Sequence, residues 1–291
     1  MNAEEYPALY RSADASSVSS QSIYLWLIRL QYGLLLVAAI LANWFNSEPN
    51  TLIMYPILIG GATVLLVFMA VKKPEKDWYA CRALAESIKT STWRFTMRAE
   101  PFVDAPNLSV AKADFAGFLR EILDANKHID EPISRRPVVG DQITPRMISI
   151  RALSLADRKE IYRKNRIDEQ RAWYVKKAKS NRRSFTRWIV FCGFVQAGAI
   201  ALAVTRIHYG QQWNFWPTEP LLITATAIIG WIQIKKFNEL ASAYSLTAHE
   251  IGIIQSRIDI AGSEEEFSEF VNEAERAFSR EHTQWIARQN N

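Results

Sequence analysis

The stretch 153-LSLADRKEIYRKNRIDEQRAWYVKKAKSNRRSFTRW-188 decides the fold of this chain, because it is a basic helical segment that leads directly into an apolar run. Ile161, Ile167, Trp173 and Tyr174 recur near one face at helical spacing. The other positions are mostly basic, namely Arg163, Lys164, Arg166, Lys176, Lys177, Lys179, Arg182, Arg183 and Arg187. The pattern predicts an amphipathic helix that connects two halves of a membrane protein and ends at the inner surface of the bilayer.

Basic charge is concentrated in one part of the chain. Of the 35 Lys and Arg residues, 26 lie between Lys72 and Arg187, together with only 15 of the 30 acidic residues. The positive-inside rule explains such a basic segment by placing it on the cytosolic side of membrane spans. An anionic inner leaflet would also compete for these bases. We therefore expect a lipid bilayer as a partner and no nucleic acid.

Four apolar runs predict four membrane-spanning helices, at about residues 23–45, 51–71, 188–204 and 217–234. The loop within each pair contains no Lys or Arg, and a Lys-Lys pair, beginning at Lys72 or Lys235, follows each second run. The chain is therefore predicted to be an all-α integral membrane protein with four transmembrane helices in two hairpins, each followed by long cytosolic helices. We expect it in the inner membrane with both termini cytosolic.

The two halves of the chain share one plan, which indicates a duplicated unit. Tyr10 and Tyr174 are 164 positions apart, as are Glu86 and Glu250, and each Tyr precedes the first span of its half by a similar distance. We divide the chain into a first two-transmembrane unit with its cytosolic helices at 1–130, a Pro-rich linker at 131–152 and a second such unit at 153–291.

Five polar residues within the predicted spans are candidates for a pore lining or for contacts between helices: Arg29, Gln196, Thr224, Thr226 and Gln233. Arg29 either snorkels to the inner headgroups or supplies a charge at a pore mouth. Gln196 lies near mid-membrane and cannot reach either interface. It is expected to hydrogen-bond to another helix or to water in a lumen.

The C-terminal segment predicts one further cytosolic helix. Ser263 and Glu266 form a capping-box pattern, and an apolar stripe follows at helical spacing. The stripe consists of Phe267, Phe270, Val271, Ala274, Phe278 and Trp285. It needs a helical partner from the same or a neighbouring subunit, because the acids beside it disfavour an anionic membrane surface.

No pattern in the sequence indicates catalysis. Glu281 and His282 follow Ser279, but adjacent helical residues point about 100° apart. No second His lies four residues away to complete a zinc site of the usual helical type. We expect no enzymatic activity, no cofactor and no metal.

Three segments resemble the SLATT family, the SMODS- and SLOG-associating two-transmembrane effector domains of bacteria and archaea. They are KDWYACRALAESIKTSTWRF at 76–95, NRIDEQRAWYVKKA at 165–178 and FVNEAERAFSREHTQWIARQ at 270–289, so the chain is similar to two SLATT domains in tandem. The positions that match are Trp78, Tyr79, Arg82, Glu86, Lys89, Arg166, Gln170, Trp173, Tyr174, Glu275, Ser279, Arg280, Glu281, His282 and Trp285. Their chemistry suits a cytosolic collar in which aromatic rings pack and buried Arg and Glu pair.

This resemblance implies a membrane effector of prokaryotic anti-phage defence. Such an effector would perforate the inner membrane as a homo-oligomer when a separate sensor protein or a nucleotide second messenger signals infection. A pore needs an oligomer, because four spans in one chain are too few to enclose a roomy channel. The alternative function is a membrane-anchored scaffold whose cytosolic helices recruit partner proteins.

Overall fold

A computed structural model describes residues 1–44, 49–103, 107–126, 133–134, 137–210, 212 and 216–287, without the side chains of 44, 49–52 and 280–287. Within these residues every regular element is helical, which confirms the all-α prediction. The described elements are a 3-10 turn at Ala3–Glu5, α1 at Ala8–Trp44, α2 at Pro49–Lys72, α3 at Pro74–Thr96, α4 at Leu108–Ala125, α5 at Pro145–Arg151, α6 at Leu155–Tyr162, a π turn at Arg163–Asp168, α7 at Glu169–Tyr209, α8 at Thr218–Lys235, α9 at Phe237–Arg257 and α10 at Glu264–Ala287.

Two compact units make up the chain, and each takes residues from both halves of the sequence. The first, which we call the core unit, comprises Met1–Ser22, Pro74–Val175 and Leu246–Asn291. The second, the span unit, comprises Ile23–Lys73 and Lys176–Ser245. Helices predicted to be cytosolic in the two halves therefore share one core, and the predicted spans of the two halves share the other unit.

Helix α3 lies at the centre of the core unit. Leu84, Ile88 and Phe95 on this helix are fully buried, and α10 packs against it. The apolar stripe of α10 provides this contact, since Phe267 and Phe278 are also buried. Of the two partners that the sequence left open, the stripe uses a helix of its own chain. The capping box also forms, with Ser263 N donating to Glu266 Oε2 at 3.2 Å and Glu266 N to Ser263 Oγ at 3.2 Å.

Helix α1 begins well before the first predicted span. Ala8 and Ala13 are buried in the core unit although residues 1–22 carry no long apolar run. The first backbone N–H groups of a helix lack partners within the helix. Here Ala8 N donates to the Asp141 carbonyl at 3.1 Å, and Leu9 N donates to Gln142 Oε1 at 3.1 Å. Part of the predicted linker therefore caps α1.

Among the described residues, three stretches are long and apolar enough to cross a membrane: Ala8–Asn43, Ile53–Thr96 and Leu155–Tyr209. Helix α8, the predicted fourth span, is not among them. Its 18 residues reach about 27 Å, slightly less than the hydrocarbon thickness. The structure thus supports a membrane protein with three long apolar helices, and the fourth span and the two-hairpin arrangement stay predictions.

The second helix of each pair ends in the same way. Lys73 follows α2 with φ 45°, and Lys236 follows α8 with φ 47°, both in the left-handed region that β-carbons disfavour. Lys73 N donates to the Met69 carbonyl and Lys236 N to the Ile232 carbonyl, each at 2.9 Å. In each half another helix starts at the very next residue. The repeated plan of the sequence therefore extends to the backbone.

Candidate functional site, a buried ionic cluster

The core unit contains a fully buried ion pair between the π turn and α10. Arg166 Nε and Nη2 donate to the two carboxylate oxygens of Glu275 at 2.8 and 2.6 Å, and both side chains are almost completely excluded from solvent. The Arg166 guanidinium also lies 4.9 Å from the centre of the Phe278 ring. Such a bidentate pair stabilises only when its geometry is good, because removing two charges from water is costly.

Aromatic hydroxyls complete the surroundings of this pair. Tyr162 donates its hydroxyl to Glu275 Oε1 at 3.0 Å, and Trp93 Nε1 donates to the Tyr6 hydroxyl at 3.0 Å. The Trp93 and Tyr162 rings meet edge to face at 5.7 Å. Burial, followed by the Glu275 charge, raises the pKa of Tyr162 well above its ordinary value. Burial also raises the pKa of Tyr6, so both phenols stay protonated donors or acceptors at neutral pH.

Cations outnumber anions around Glu275. Burial opposes the charge of Arg166, but the Glu275 charge and its hydrogen bonds outweigh that effect and raise the pKa of Arg166. Burial lowers the pKa of Lys89, and the charge of Arg166 lowers it further. Arg94 Nε and Arg166 Nη1 are buried and have no hydrogen-bond partner in the described part of the chain. The charge of Glu275 therefore acts on several bases, and that of Glu86 also acts on Lys89.

The remaining motif residues of the first half form a more exposed network. Arg82 contacts Glu86 at 2.6 Å and Asp14 of α1 at 3.2 Å. Trp78 stacks on Tyr79 with ring centres 4.4 Å apart. Burial, then the Asp14 charge, raises the pKa of Tyr10 to about 12. These contacts join α3 to α1 within the core unit.

The motif residues of the second half are buried, half-buried or outside the described residues. Tyr174 is buried and meets Trp173 edge to face at 5.0 Å, whereas Gln170 is half-buried. Ser279 donates its hydroxyl to the Arg276 carbonyl at 3.1 Å. The side chains of Arg280, Glu281, His282 and Trp285, like the loop predicted at 46–50, lie outside what the structure describes in full.

The polar candidates of the span unit are not gathered into one site. Thr224 and Thr226 donate their hydroxyls to carbonyls four residues earlier in α8, at 2.8 and 2.9 Å. Gln196 and Gln233 are exposed on the surface of the chain. The Arg29 guanidinium lies 5.0 Å from the Trp231 ring centre.

Sequence reasoning missed two further buried arginines. Arg158 is fully buried and donates to the Met97 carbonyl at 2.8 Å and to the Glu264 carboxylate. Arg151 donates to the Phe95 carbonyl at 2.5 Å and lies 4.9 Å from that ring. Carbonyl groups at the end of α3 need donors, but nothing in a sequence shows which Arg will reach them.

The cluster positions helices and offers no evident reaction chemistry. Tyr162 and Arg166 both donate hydrogen bonds to Glu275. This arrangement does not place a nucleophilic side chain beside a base that could activate it. Within the described residues, no group of three or more His, Cys, Asp or Glu side chains is placed to hold a metal ion. The π turn that presents Arg166 is a rare element found frequently at functional sites. The arrangement is suited to fixing the register between the π turn and α10.

The fold is that of an all-helical protein with long apolar helices, as expected of a membrane protein. The family model for SMODS and SLOG-associating 2TM effector domain 3 matches residues 7–159, and that for effector domain 1 matches residues 162–285. The chain belongs to the SLATT family, with two domains in tandem, as the sequence predicted. No curated protein and no solved structure matches it. SLATT domains are membrane effectors associated with defence systems.

Proposed function

We propose that this protein is a four-span effector that assembles into a homo-oligomer and permeabilises the inner membrane in anti-phage defence. The tandem family match supports four spans, because each SLATT domain is a two-transmembrane unit. The long apolar stretches bury only 22%, 6% and 11% of their most apolar windows in the chain, as expected of surfaces that face lipid or other subunits. Both termini lie in the cytosol under this proposal.

The proposal depends chiefly on the exposed side chain of Gln196. This residue lies at the middle of the predicted third span, is exposed, and has no hydrogen-bond partner among the described residues. An unpaired amide in hydrocarbon is costly. A lumen filled with water, or an amide on another subunit, removes that cost, and both require more than one copy of the chain.

The remaining polar candidates of the span unit differ in whether their side chains already have hydrogen-bond partners. The Thr224 and Thr226 hydroxyls are bound within their own helix, so they do not require a lumen. Gln233 is exposed and has no side-chain partner among the described residues. We therefore propose Gln196 and Gln233 as the polar residues that face a pore or a subunit contact.

An exposed stripe on α9 supports the oligomer. Leu246, Ile253 and Ile260 are 62%, 67% and 78% exposed and follow one another at seven-residue intervals, the last in the turn after the helix. Seven-residue spacing of aliphatic side chains is typical of a contact between helices. Glu239 and Glu250 beside the stripe are exposed and disfavour an anionic lipid surface. We propose that this stripe meets the same stripe of another subunit.

Efflux from liposomes tests the pore. The purified protein, with a panel of cyclic nucleotides as candidate triggers, is expected to release ions and dye, and Gln196→Leu should change the release without changing particle size. Thr226→Val is the matched control, because its hydroxyl already bonds within α8, and it should behave as wild type. The assignment of Gln196 would be contradicted if both substitutions changed the release equally, or if neither substitution changed it.

The α9 stripe also favours the second candidate, a membrane-anchored scaffold, because a partner protein could occupy the same surface. Ile253→Ser distinguishes the two functions. Under the pore proposal the variant loses both the large particle in detergent and the efflux. Under the scaffold function wild type shows no efflux with any trigger, and the variant loses a cytosolic partner while particle size is unchanged.

A further inference from the structure

Two cations share one indole ring in the span unit. The Arg29 guanidinium of α1 lies 5.0 Å from the centre of the Trp231 ring of α8, and Lys235 Nζ lies 5.8 Å from the same ring. Trp231 packs against the buried cluster of Cys192, Ala225, Ile228, Ile232 and Phe237. This packing holds the Trp231 ring in place, and both cations lie close to the ring.

These cations are not neutralised by the protein. Neither Arg29 nor Lys235 forms an ion pair or a hydrogen bond through its side chain with any described residue. The positive charges of Arg29 and Lys177 both act on Lys235. Like charges gathered in this way repel each other. An anion bound between these cations would attract each of them and offset their mutual repulsion.

The place of the cluster indicates which anion it takes. Lys235 and Lys236 end α8, as Lys72 and Lys73 end α2, so the cluster lies at the basic ends of the predicted spans. Trp rings are enriched at the level of lipid headgroups, and basic pockets between transmembrane helices bind anionic headgroups. Phosphatidylglycerol carries a phosphodiester whose charge no cation in its headgroup offsets, whereas the choline of phosphatidylcholine offsets the same charge.

We propose that Arg29, Trp231 and Lys235 form a binding site for the phosphodiester of an anionic phospholipid. The Arg29 guanidinium lies over the indole ring, and its N–H groups have no partner among the described residues, so they are available to two phosphate oxygens. Lys235 adds a point charge on the same anion. Arg29 thus acts as a headgroup ligand rather than as a pore-mouth charge, and the site does not depend on pore formation.

Lipid retention by the full-length protein tests this site. Native mass spectrometry of the protein in mixed micelles, titrated with phosphatidylglycerol or phosphatidylcholine, gives an apparent affinity for each lipid. With a juxtamembrane base contributing about fivefold in affinity, Arg29→Gln and Lys235→Gln should each weaken phosphatidylglycerol binding about fivefold, and the double variant about thirtyfold. Phosphatidylcholine binding should not change.

Two further variants keep the test sensitive to the site rather than to folding. Lys72→Gln removes the same charge from the end of α2, where Lys72 is exposed, and should keep wild-type binding. Arg29→Lys retains the charge and should keep most of it. The proposal is wrong if Lys72→Gln weakens binding as much as Lys235→Gln, or if the double variant binds phosphatidylglycerol like wild type. Inorganic phosphate or glycerol phosphate that displaces the lipid at equal concentration would overturn the lipid assignment.

Discussion

The core unit and the span unit treat polar side chains in opposite ways. Every buried polar or charged residue in the described chain lies in the core unit, including Arg158, Arg166 and Glu275. The described residues of the span unit bury apolar side chains, while others as large as Val64 and Phe194 are exposed. The core unit, which buries polar groups in hydrogen-bonded pairs, is typical of a domain surrounded by water. The span unit, with its exposed apolar side chains, has a surface that suits lipid.

This difference shows that the two units obtain a defined helix register by different means. In the core unit, α10 is positioned by a buried carboxylate that only one arrangement satisfies. In the span unit, helices approach closely at small residues, as where the Tyr32 hydroxyl lies against Gly230. Perturbing charge should therefore disturb one unit, and perturbing small-residue contacts should disturb the other.

Glu275→Leu should produce the largest effect. It leaves Arg166 buried without a counter-charge, which costs about 3–5 kcal/mol. Hydrogen exchange, followed by mass spectrometry of the full-length protein in detergent, should show faster exchange in α6, the π turn and α10 and little change in the spans.

Glu273→Leu is the matched control for this variant. Glu273 pairs with Arg257 at 2.8 Å, but both side chains are about half exposed, and such pairs contribute less than about 1 kcal/mol. Equal loss of protection in the two variants would show that the buried pair has no special part in the core unit.

Alkaline pH should weaken the core unit next. Burial raises the pKa of Tyr6 and of Tyr162, and it raises that of Tyr10 from 10.0 to about 12. The unfolded chain releases phenolic protons near pH 10 and the folded chain does not, so stability that is complete below pH 10 is lost as the pH rises toward 12.

Exchange of the core unit at pH 9 and pH 11, corrected for the intrinsic rate, measures this loss. Tyr10→Phe removes one of the three phenols and should reduce the difference between the two pH values. A core unit that is equally protected at both values would contradict the raised pKa of these tyrosines.

Gly230→Ala should have a smaller effect, in the span unit. The new Cβ would lie 2.2 Å from the Tyr32 hydroxyl oxygen, and such overpacking costs about 1 kcal/mol. In a Tyr32→Phe background that oxygen is absent, but the ring carbon Cζ still lies 3.1 Å from the new Cβ, so Ala should cost less there than in the wild-type background. Thermal unfolding of the four proteins in one detergent checks this difference, and additive effects would refute the contact.

An effect of similar size should come from Lys236. Its φ of 47° costs a residue with a β-carbon roughly 1 kcal/mol, and glycine avoids most of that cost. Lys236→Gly should therefore be more stable than Lys236→Ala by about 1 kcal/mol, as judged from thermal unfolding. If Lys73→Gly is likewise more stable than Lys73→Ala, the left-handed residue carries the same energetic cost in both halves. A reversed ranking at Lys73 would show that it does not.

The parts of the fold that depend on long, regular patterns could be predicted from the sequence. The apolar runs placed the long helices, and the capping box with its stripe placed α10, because both signals repeat over several turns. The first 22 residues gave no such signal. Apart from Tyr6 and Leu9, most of their buried positions are small, such as Ala8, Ala13 and Ser16, and small side chains pack closely without an apolar period.

The cluster could be predicted only in its residue types. Family motifs named Arg166 and Glu275, but helical periodicity placed Arg166 on the polar side of the basic helix. The π turn at Arg163–Asp168 widens the helix by one residue per turn, so a period of 3.6 residues fails there and Arg166 enters the core. The periodicity also missed Tyr162, which is fully buried. Of the four residues predicted on the apolar face, Ile167 and Tyr174 are buried, whereas Ile161 and Trp173 are half-buried.

The packing of α10 against α3 can form only after most of the chain has been synthesised. The ribosome delivers α1 and α2 long before Glu275, and chains fold as they emerge, at about 5–20 residues per second. The first apolar pair can therefore enter the bilayer while Arg166 has not yet been synthesised, and Arg166 then waits for its carboxylate until α10 is released. A chain truncated before residue 264 would lack Glu275, so Arg166 would have no counter-charge and the core unit would stay incomplete.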